Sequence, residues 1–297
     1  MATTSRVRLL LVTGLCAVGL VTASVHGQSR SLKILLTNDD GYDAPGLRVM
    51  REALVAAGHD VTVVAPATNM SSTSGSMSSG VVKYEKKADR IFAVRGTPAD
   101  AALIGLSYLL RDNPQDLVVS GTNEGQNIGT STNVSGTVGA AVVGAMFGVP
   151  AIASSAGTGA DIEQAYRVAA DLTRQMIARL DAGRLPGTKL LPERVVLNLN
   201  VPARPADTLL GVRFARLSRG YPTREYRDTG TPGELAVANI APVLPVDETD
   251  SDGALFRRGF VTLTVLDGDM SLDVASSAAI AARLSGLELR APSALPR

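Results

Sequence analysis

Short apolar runs alternate along this chain with longer stretches in which apolar residues recur at helical spacing. Ile34 to Thr37 is the first run; it stops at Asn38-Asp39-Asp40-Gly41 and reads as a buried strand. Pro45 then suits the first turn of a helix, Leu47, Met50, Leu54 and Ala57 share one face, and Gly58 is placed to close it. Val61 to Val64 predicts the next strand, ended by Ala65-Pro66, and this strand–helix–strand crossover implies parallel pairing. Ile91 to Val94 predicts a strand. Thr97 as N-cap, Pro98 at the first helical position and Asp100 two places on predict a capped helix reaching about Leu110. The alternation continues with strands at Asp116–Ser120, Ala151–Ser154 and Val195–Asn200, and helices at about Gly136–Phe147 and Ile162–Leu180. The expected fold class is α/β, a doubly wound, mostly parallel sheet in a three-layer sandwich.

Periodicity fades after Val201-Pro202. Residues 203–250 are rich in Pro, Arg, Asp and Thr, and only a strand at Gly259–Leu266 and a final helix at about Leu272–Leu287 follow. At the other end, Arg6 and Arg8 precede an apolar stretch from Leu9 to Val21, with small residues in Val25-His26-Gly27. That is the pattern of a signal peptide cleaved near Gly27-Gln28. The stretch is short for a membrane anchor, which needs about 20 apolar residues. The expected organisation is a leader at 1–27, an α/β core at 28–202, and a C-terminal extension at 203–297 carrying hairpins or arms, a strand and a helix. The product is expected outside the cytoplasm, periplasmic or secreted. Loops as long as 203–250 are usually functional or packed on a partner.

Composition changes the picture mainly by exclusion. The 297 residues, 45% of them hydrophobic, can bury a sizeable core. Loss of Arg6 and Arg8 with the leader takes the formal charge from +1 to −1, which gives no electrostatic case for a nucleic-acid polymer or an anionic membrane as partner. Cys16 and His26 leave with the same segment, so the mature chain has no cysteine and only His59. Thiol nucleophiles, disulfides and Cys/His zinc sites are excluded by count. His59 lies just before a strand, at the edge opposite the one where parallel sheets bind ligands, and reads as a turn histidine. A Ser-His-Asp hydrolase would have no base.

Three loops follow strands at the ligand-binding edge, and each carries hard oxygen or amide groups. They are Asn38-Asp39-Asp40-Gly41, the stretch from Asn69 through Ser71 and Ser74 to Ser76, and Ser120-Gly121-Thr122-Asn123-Glu124-Gly125-Gln126-Asn127. Two adjacent carboxylates at the end of a buried strand repel each other, and carboxylate, hydroxyl and amide oxygens without imidazole or thiolate suit Mg²⁺, Mn²⁺ or Ca²⁺. Taken singly, the first loop also reads as a capped turn, residues 71–79 as a serine-rich linker, and Ser120-Gly121 as a plain turn.

Ile34-Leu-Leu-Thr-Asn-Asp-Asp-Gly41, Gly96-Thr-Pro-Ala-Asp100, Val119-Ser-Gly-Thr-Asn123 with Asn127, and Ser135-Gly-Thr-Val-Gly-Ala-Ala141 together resemble the SurE family. The resemblance runs from about Leu32 to Pro202 and continues into Thr249–Ala254 and Gly259–Thr264. It implies a metal-dependent 5′/3′-nucleotidase, an acid phosphatase acting on nucleoside monophosphates, with Mg²⁺ or Mn²⁺ as cofactor. It places the paired metal-binding aspartates on Asp39 and Asp40, the metal-binding serine on Ser71, with Ser72 or Ser74 as alternatives, and the metal-binding asparagine on Asn123. The same resemblance makes Asn38, Gly41, Thr97, Ser120, Gly121 and Asn127 substrate-facing. Ser135, Gly136 and Thr137 start a helix, where free N–H groups and hydroxyls favour a phosphate. It also implies tail segments exchanged or paired between subunits of a homodimer or homotetramer. The chain departs from the family pattern at Met70 and Ala101, so a basic phosphate partner is either missing or supplied from elsewhere, for instance by Arg95 or an arginine of the tail.

The expected reaction is hydrolysis of nucleoside monophosphates by water that a divalent cation activates, with Asp39 or Asp40 as proton acceptor. An aspartyl-phosphate intermediate is the variant left open. Two other motifs carry little. Val261–Leu266 before Asp267-Gly268-Asp269 resembles a dehalogenase-type phosphatase opening, but too few residues follow for that fold. Glu248–Gly253 resembles a calcium loop but has Gly259 where a bidentate Glu belongs, and it reads as a solvated turn. The reading from another class is an exported, non-catalytic nucleotide- or sugar-binding protein.

Overall fold

The computed structural model describes residues 30–220, 224–239 and 248–269, with Ala278, Ile280, Ala282 and Arg283. The leader expected at 1–27 lies outside the described residues, as does most of the helix expected at 272–287; the four isolated residues there are helical.

Each apolar run becomes a strand. β1 (Lys33–Thr37), β2 (Asp60–Pro66), β4 (Ile91–Arg95), β5 (Leu117–Glu124), β6 (Ala151–Ala156) and β7 (Val195–Val201) pair side by side in parallel. They form the middle of a nine-stranded sheet whose order is β3-β4-β2-β1-β5-β6-β7-β11-β8. Here β3 is Lys83–Ala88, β8 is Val212–Phe214 and β11 is Val261–Asp267. β3 runs antiparallel to β4, and β11 antiparallel to β7.

The helices are α1 (Pro45–Ala56), α2 (Pro98–Ile104, continued by a π turn to Leu109), α3 (Gly136–Met146), α4 (Ile162–Ala182) and α5 (Asp252–Arg258). α1 buries Leu47, Met50 and Leu54, the face its spacing predicted. α2 carries the full capping box: Thr97 Oγ1 accepts from Asp100 N–H, and the Asp100 carboxylate accepts from Thr97 N–H. Both faces of the sheet are covered. Ile34 and Leu36 pack with α1 and α4 residues such as Leu54 and Ile177, whereas Leu35 packs with Val64, Val118 and Val138 on the opposite side. Strands buried on both faces read as continuous apolar runs, which is why they were legible.

Differences fall where polarity hides structure. β3 is Lys-Tyr-Glu-Lys-Lys-Ala, all exposed, and a charged edge strand carries no apolar signal. β5 does not stop at Ser120 but runs to Glu124 through a shift in register between Ser120 and Asn123. Gly121 has φ 130, and a Cβ there would lie 2.1 Å from Ser154 O, so only glycine lets β5 run this close to β6.

After Pro202 the chain divides. β8, α5 and β11 join the main sheet and its flank, while β9 (Arg224–Asp228) and β10 (Leu235–Asn239) form a separate antiparallel hairpin. The solvated turn expected around Glu248–Gly253 is corrected here. Glu248, Ser251 and Asp252 are buried. Asp252 accepts N–H bonds from Gly129 and Ser218, and Ser251 caps α5. The acidic run is hydrogen-bonded into the protein, which its composition could not reveal.

Candidate functional site

The carboxyl ends of β1, β2, β5 and β6 meet at one edge of the sheet. Asp39 and Asp40 follow β1 there, held by a turn in which Asn38 Oδ1 accepts Gly41 N–H at 3.2 Å. Asp39 is 3% exposed, and its Oδ1 accepts the Thr137 hydroxyl at 2.5 Å. A Cβ on Gly136 would stand 2.9 Å from Asp39 Oδ2, so the start of α3 sits directly against this carboxylate. Burial raises the Asp39 pKa, while the Thr137 hydroxyl and the Thr137 and Gly136 N–H groups oppose that rise.

Asp40 is held from the other side. Its Oδ2 accepts Glu124 N–H at 2.8 Å, and Asn69 Nδ2 lies 3.5 Å from Oδ1. Burial, with the charges of Asp39 and Glu124 adding to it, pushes Asp40 up to about 7 against the Glu124 N–H bond. Tyr166 on α4 is 3% exposed; burial and the nearby charges of Glu124 and Asp40 raise its pKa.

The second loop is anchored to the first. Met70 N–H donates to the Asp39 carbonyl at 2.7 Å, which carries Ser71 past the carboxylate turn. Ser71 is exposed, and its N–H donates to Asn69 Oδ1. The Ser74 hydroxyl is taken by the Asn133 carbonyl. Asn123 is buried at the end of β5, beside the Asp40-bound Glu124, and its Nδ2 donates to the Gly125 carbonyl, which leaves Oδ1 as an acceptor.

Not every expected residue faces the carboxylates. Thr97 caps α2 and donates to the Ser76 carbonyl. Asn127 is bound to Ser155, Asn198 and Asn200. Ser135 caps α3 by accepting Val138 N–H. Ser120 and Gly121 lie within β5. Residues the sequence reading did not single out are Glu124 and Asn69, which stood unremarked inside two of the loops, and Tyr166, whose place on the buried face of α4 gave no signal.

The donors fit a hard divalent cation. Thr37 Oγ1, Asn38 Nδ2, Ser120 Oγ, Thr122 Oγ1 and Ser154 Oγ are all buried without a hydrogen-bond partner. The hydroxyls belong to the neighbouring strands β1, β5 and β6, and unsatisfied polar groups there ordinarily signal a polar occupant; Asn38 Nδ2 is a donor and would face an anion, not the cation. Among the described residues no three His, Cys, Asp or Glu side chains converge. A cation here would be held by two carboxylates and neutral oxygens, the donor set that suits Mg²⁺ or Mn²⁺. His59, at the opposite edge, is buried; its Nδ1 accepts Leu32 N–H at 3.3 Å, and burial lowers its pKa.

Residues 34–224 match the family model described as survival protein SurE. The chain is 37% identical over 255 residues to 5′-nucleotidase SurE 1 of Burkholderia lata, covering 82% of this chain and 93% of that protein. It is 38% identical over 261 residues to 5′-nucleotidase SurE of Solidesulfovibrio magneticus, covering 85% and 98%. The crystal structure of the SurE protein from Aquifex aeolicus superposes with a TM-score of 0.70 at 29% identity, covering 85% of this chain and 99% of that one.

Proposed function

The chain belongs to the survival protein SurE family and is a 5′-nucleotidase, and we propose that it hydrolyses nucleoside 5′- and 3′-monophosphates with a divalent cation held by Asp39, Asp40, Ser71 and Asn123. The observation that carries this reading is the pair of adjacent aspartates at the end of β1, with Asp40 raised to about 7 and no side-chain cation of the protein bonded to either carboxylate among the described residues.

When bound, the cation supplies charge neutralisation at the phosphoryl oxygens and acidifies water. This chain's own residues do the rest. Thr137 and the first N–H groups of α3 orient Asp39 and hold its charge. Asp40, beside Asp39 at the end of β1, is placed to take a proton from the attacking water and return it to the leaving oxygen. Glu124 fixes Asp40 through its backbone N–H, and the buried Tyr166 lies near both of their charges. The remaining substrate contacts would come from the 38–41, 69–76 and 120–137 segments.

The enzyme is proposed to act outside the cytoplasm after cleavage near Gly27-Gln28, as a homodimer or homotetramer. The test is phosphate release from a panel of nucleoside mono-phosphates with Mn²⁺, Mg²⁺ or EDTA. Release with either metal and none in EDTA is expected; undiminished release in EDTA, or none with either metal, overturns the reading.

A further inference from the structure

Beside the carboxylates lies a cleft of about 440 Å³ lined by Tyr42, Lys83, Glu85, Lys87 and Arg95 among others. The loops that carry the site also reach it. Tyr42 follows Asp40 by two residues, and its N–H donates to the Pro66 carbonyl at 2.9 Å. Ala67 lines the cleft while Asn69, two residues on, reaches Asp40.

The charge of this cleft is unbalanced in a specific way. Lys83 on β3 stands directly opposite Arg95 on β4 in the antiparallel register. Like charges so placed destabilise a strand pair. Glu85, the one carboxylate lining the cleft, is already paired with Lys87 at 2.8 Å and feels Arg95 only at longer range. Lys87 also lies 5.6 Å from the Tyr42 ring centre. Lys83 and Arg95 have no ion-pair partner among the described residues. Two exposed cations facing each other over a concave surface are arranged for a small anion, and an arginine there favours phosphate.

We propose that this cleft is a second anion subsite, which receives a phosphate of the substrate other than the one being hydrolysed. The preferred substrates are nucleotides with a second phosphate on the same nucleoside, such as nucleoside 3′,5′-bisphosphates. The proposal rests on the nucleotidase reading, because the two loops that carry Asp40 and Asn69 also supply Tyr42 and Ala67 to the cleft.

The kinetic test compares adenosine 3′,5′-bisphosphate with adenosine 5′-monophosphate on the full-length enzyme, on Lys83→Gln/Arg95→Gln and on Arg95→Lys. The wild type should favour the bisphosphate in KM, the double variant should lose about tenfold of that preference, and Arg95→Lys should keep part of it. Binding is read separately, by calorimetry in EDTA, on the Asp39→Asn/Asp40→Asn protein with and without the two glutamines; inorganic phosphate is titrated alongside. Equal KM for both nucleotides in the wild type, or an equal loss for both in the double variant, overturns the proposal. So does inorganic phosphate binding that depends on Lys83 and Arg95 without any bisphosphate preference, which would mark a free-anion site. Preferential bisphosphate binding by a chain that releases no phosphate with any metal would sink the nucleotidase reading and leave the subsite standing. Both side chains are exposed, Lys83 on the edge strand β3 and Arg95 at the end of its neighbour β4, and removal of a like-charge pair should leave the melting temperature unchanged or higher.

Discussion

The Thr137 hydroxyl donates to Asp39 Oδ1 at 2.5 Å across 98 residues of sequence, and this bond fixes the first turn of α3 against the end of β1. It is the link between a carboxylate that burial drives toward protonation and the donors that keep it charged. Thr137→Val should leave a buried acceptor short of a donor and cost about 1–3 kcal/mol of stability. The Asp39 pKa should rise further, so the acid limb of the pH–rate profile should move to higher pH. Thr137→Ser should restore both. An unshifted profile in Thr137→Val would show that the hydroxyl does not tune Asp39.

Asp39→Asn and Asp40→Asn should each abolish metal-dependent phosphate release and erase the rise in melting temperature that Mn²⁺ or Mg²⁺ produces, since a ligand that binds only the folded chain stabilises it. Without metal, neither variant should melt below wild type, because a like-charge repulsion has been removed. Full activity in both variants at saturating metal would refute the site.

The Asp40 pKa, about 7 in the folded chain, lies above the ordinary carboxylate value of about 4. Between those values the folded state holds one proton more than the unfolded state. The contribution of this group is therefore a loss of stability as pH rises from about 4 to about 7. Urea midpoints in EDTA across that range should fall more steeply for wild type than for Asp40→Asn. Parallel curves would mean that Asp40 titrates normally.

The hairpin β9–β10 exposes Tyr226, Leu235 and Val237 at 70%, 64% and 56%, and a two-stranded hairpin alone is marginal in water. A second subunit is the partner we expect for it. Replacing residues 224–239 with a short Gly/Ser linker, while leaving Glu248 and Asp252 in their buried places, should lower the mass seen by light scattering. A monomeric wild type, or a mass that does not change, would rule this role out.

Protein recovered from the exported fraction should begin near Gln28 when its terminus is sequenced. A Met1 or Ala2 terminus on cytosolic protein would end the export proposal.

The apolar runs and helical spacings determined the central sheet, because strands buried on both faces have no room for polar interruption. Asp39 and Asp40 were visible for the opposite reason: paired carboxylates at the end of such a strand require compensation wherever the chain goes. β3 and β8 were not visible, and the hairpin expected somewhere in the tail could not be placed, since edge and exposed strands are free to be polar. What only the tertiary structure decided is pairing over distance. Nothing in the local sequence marks Thr137 as a donor to Asp39, Glu124 as the backbone donor to Asp40, or Lys83 as the neighbour of Arg95. Each follows from strand register and helix placement, and these are set by burial summed over the whole sheet, not by any one residue.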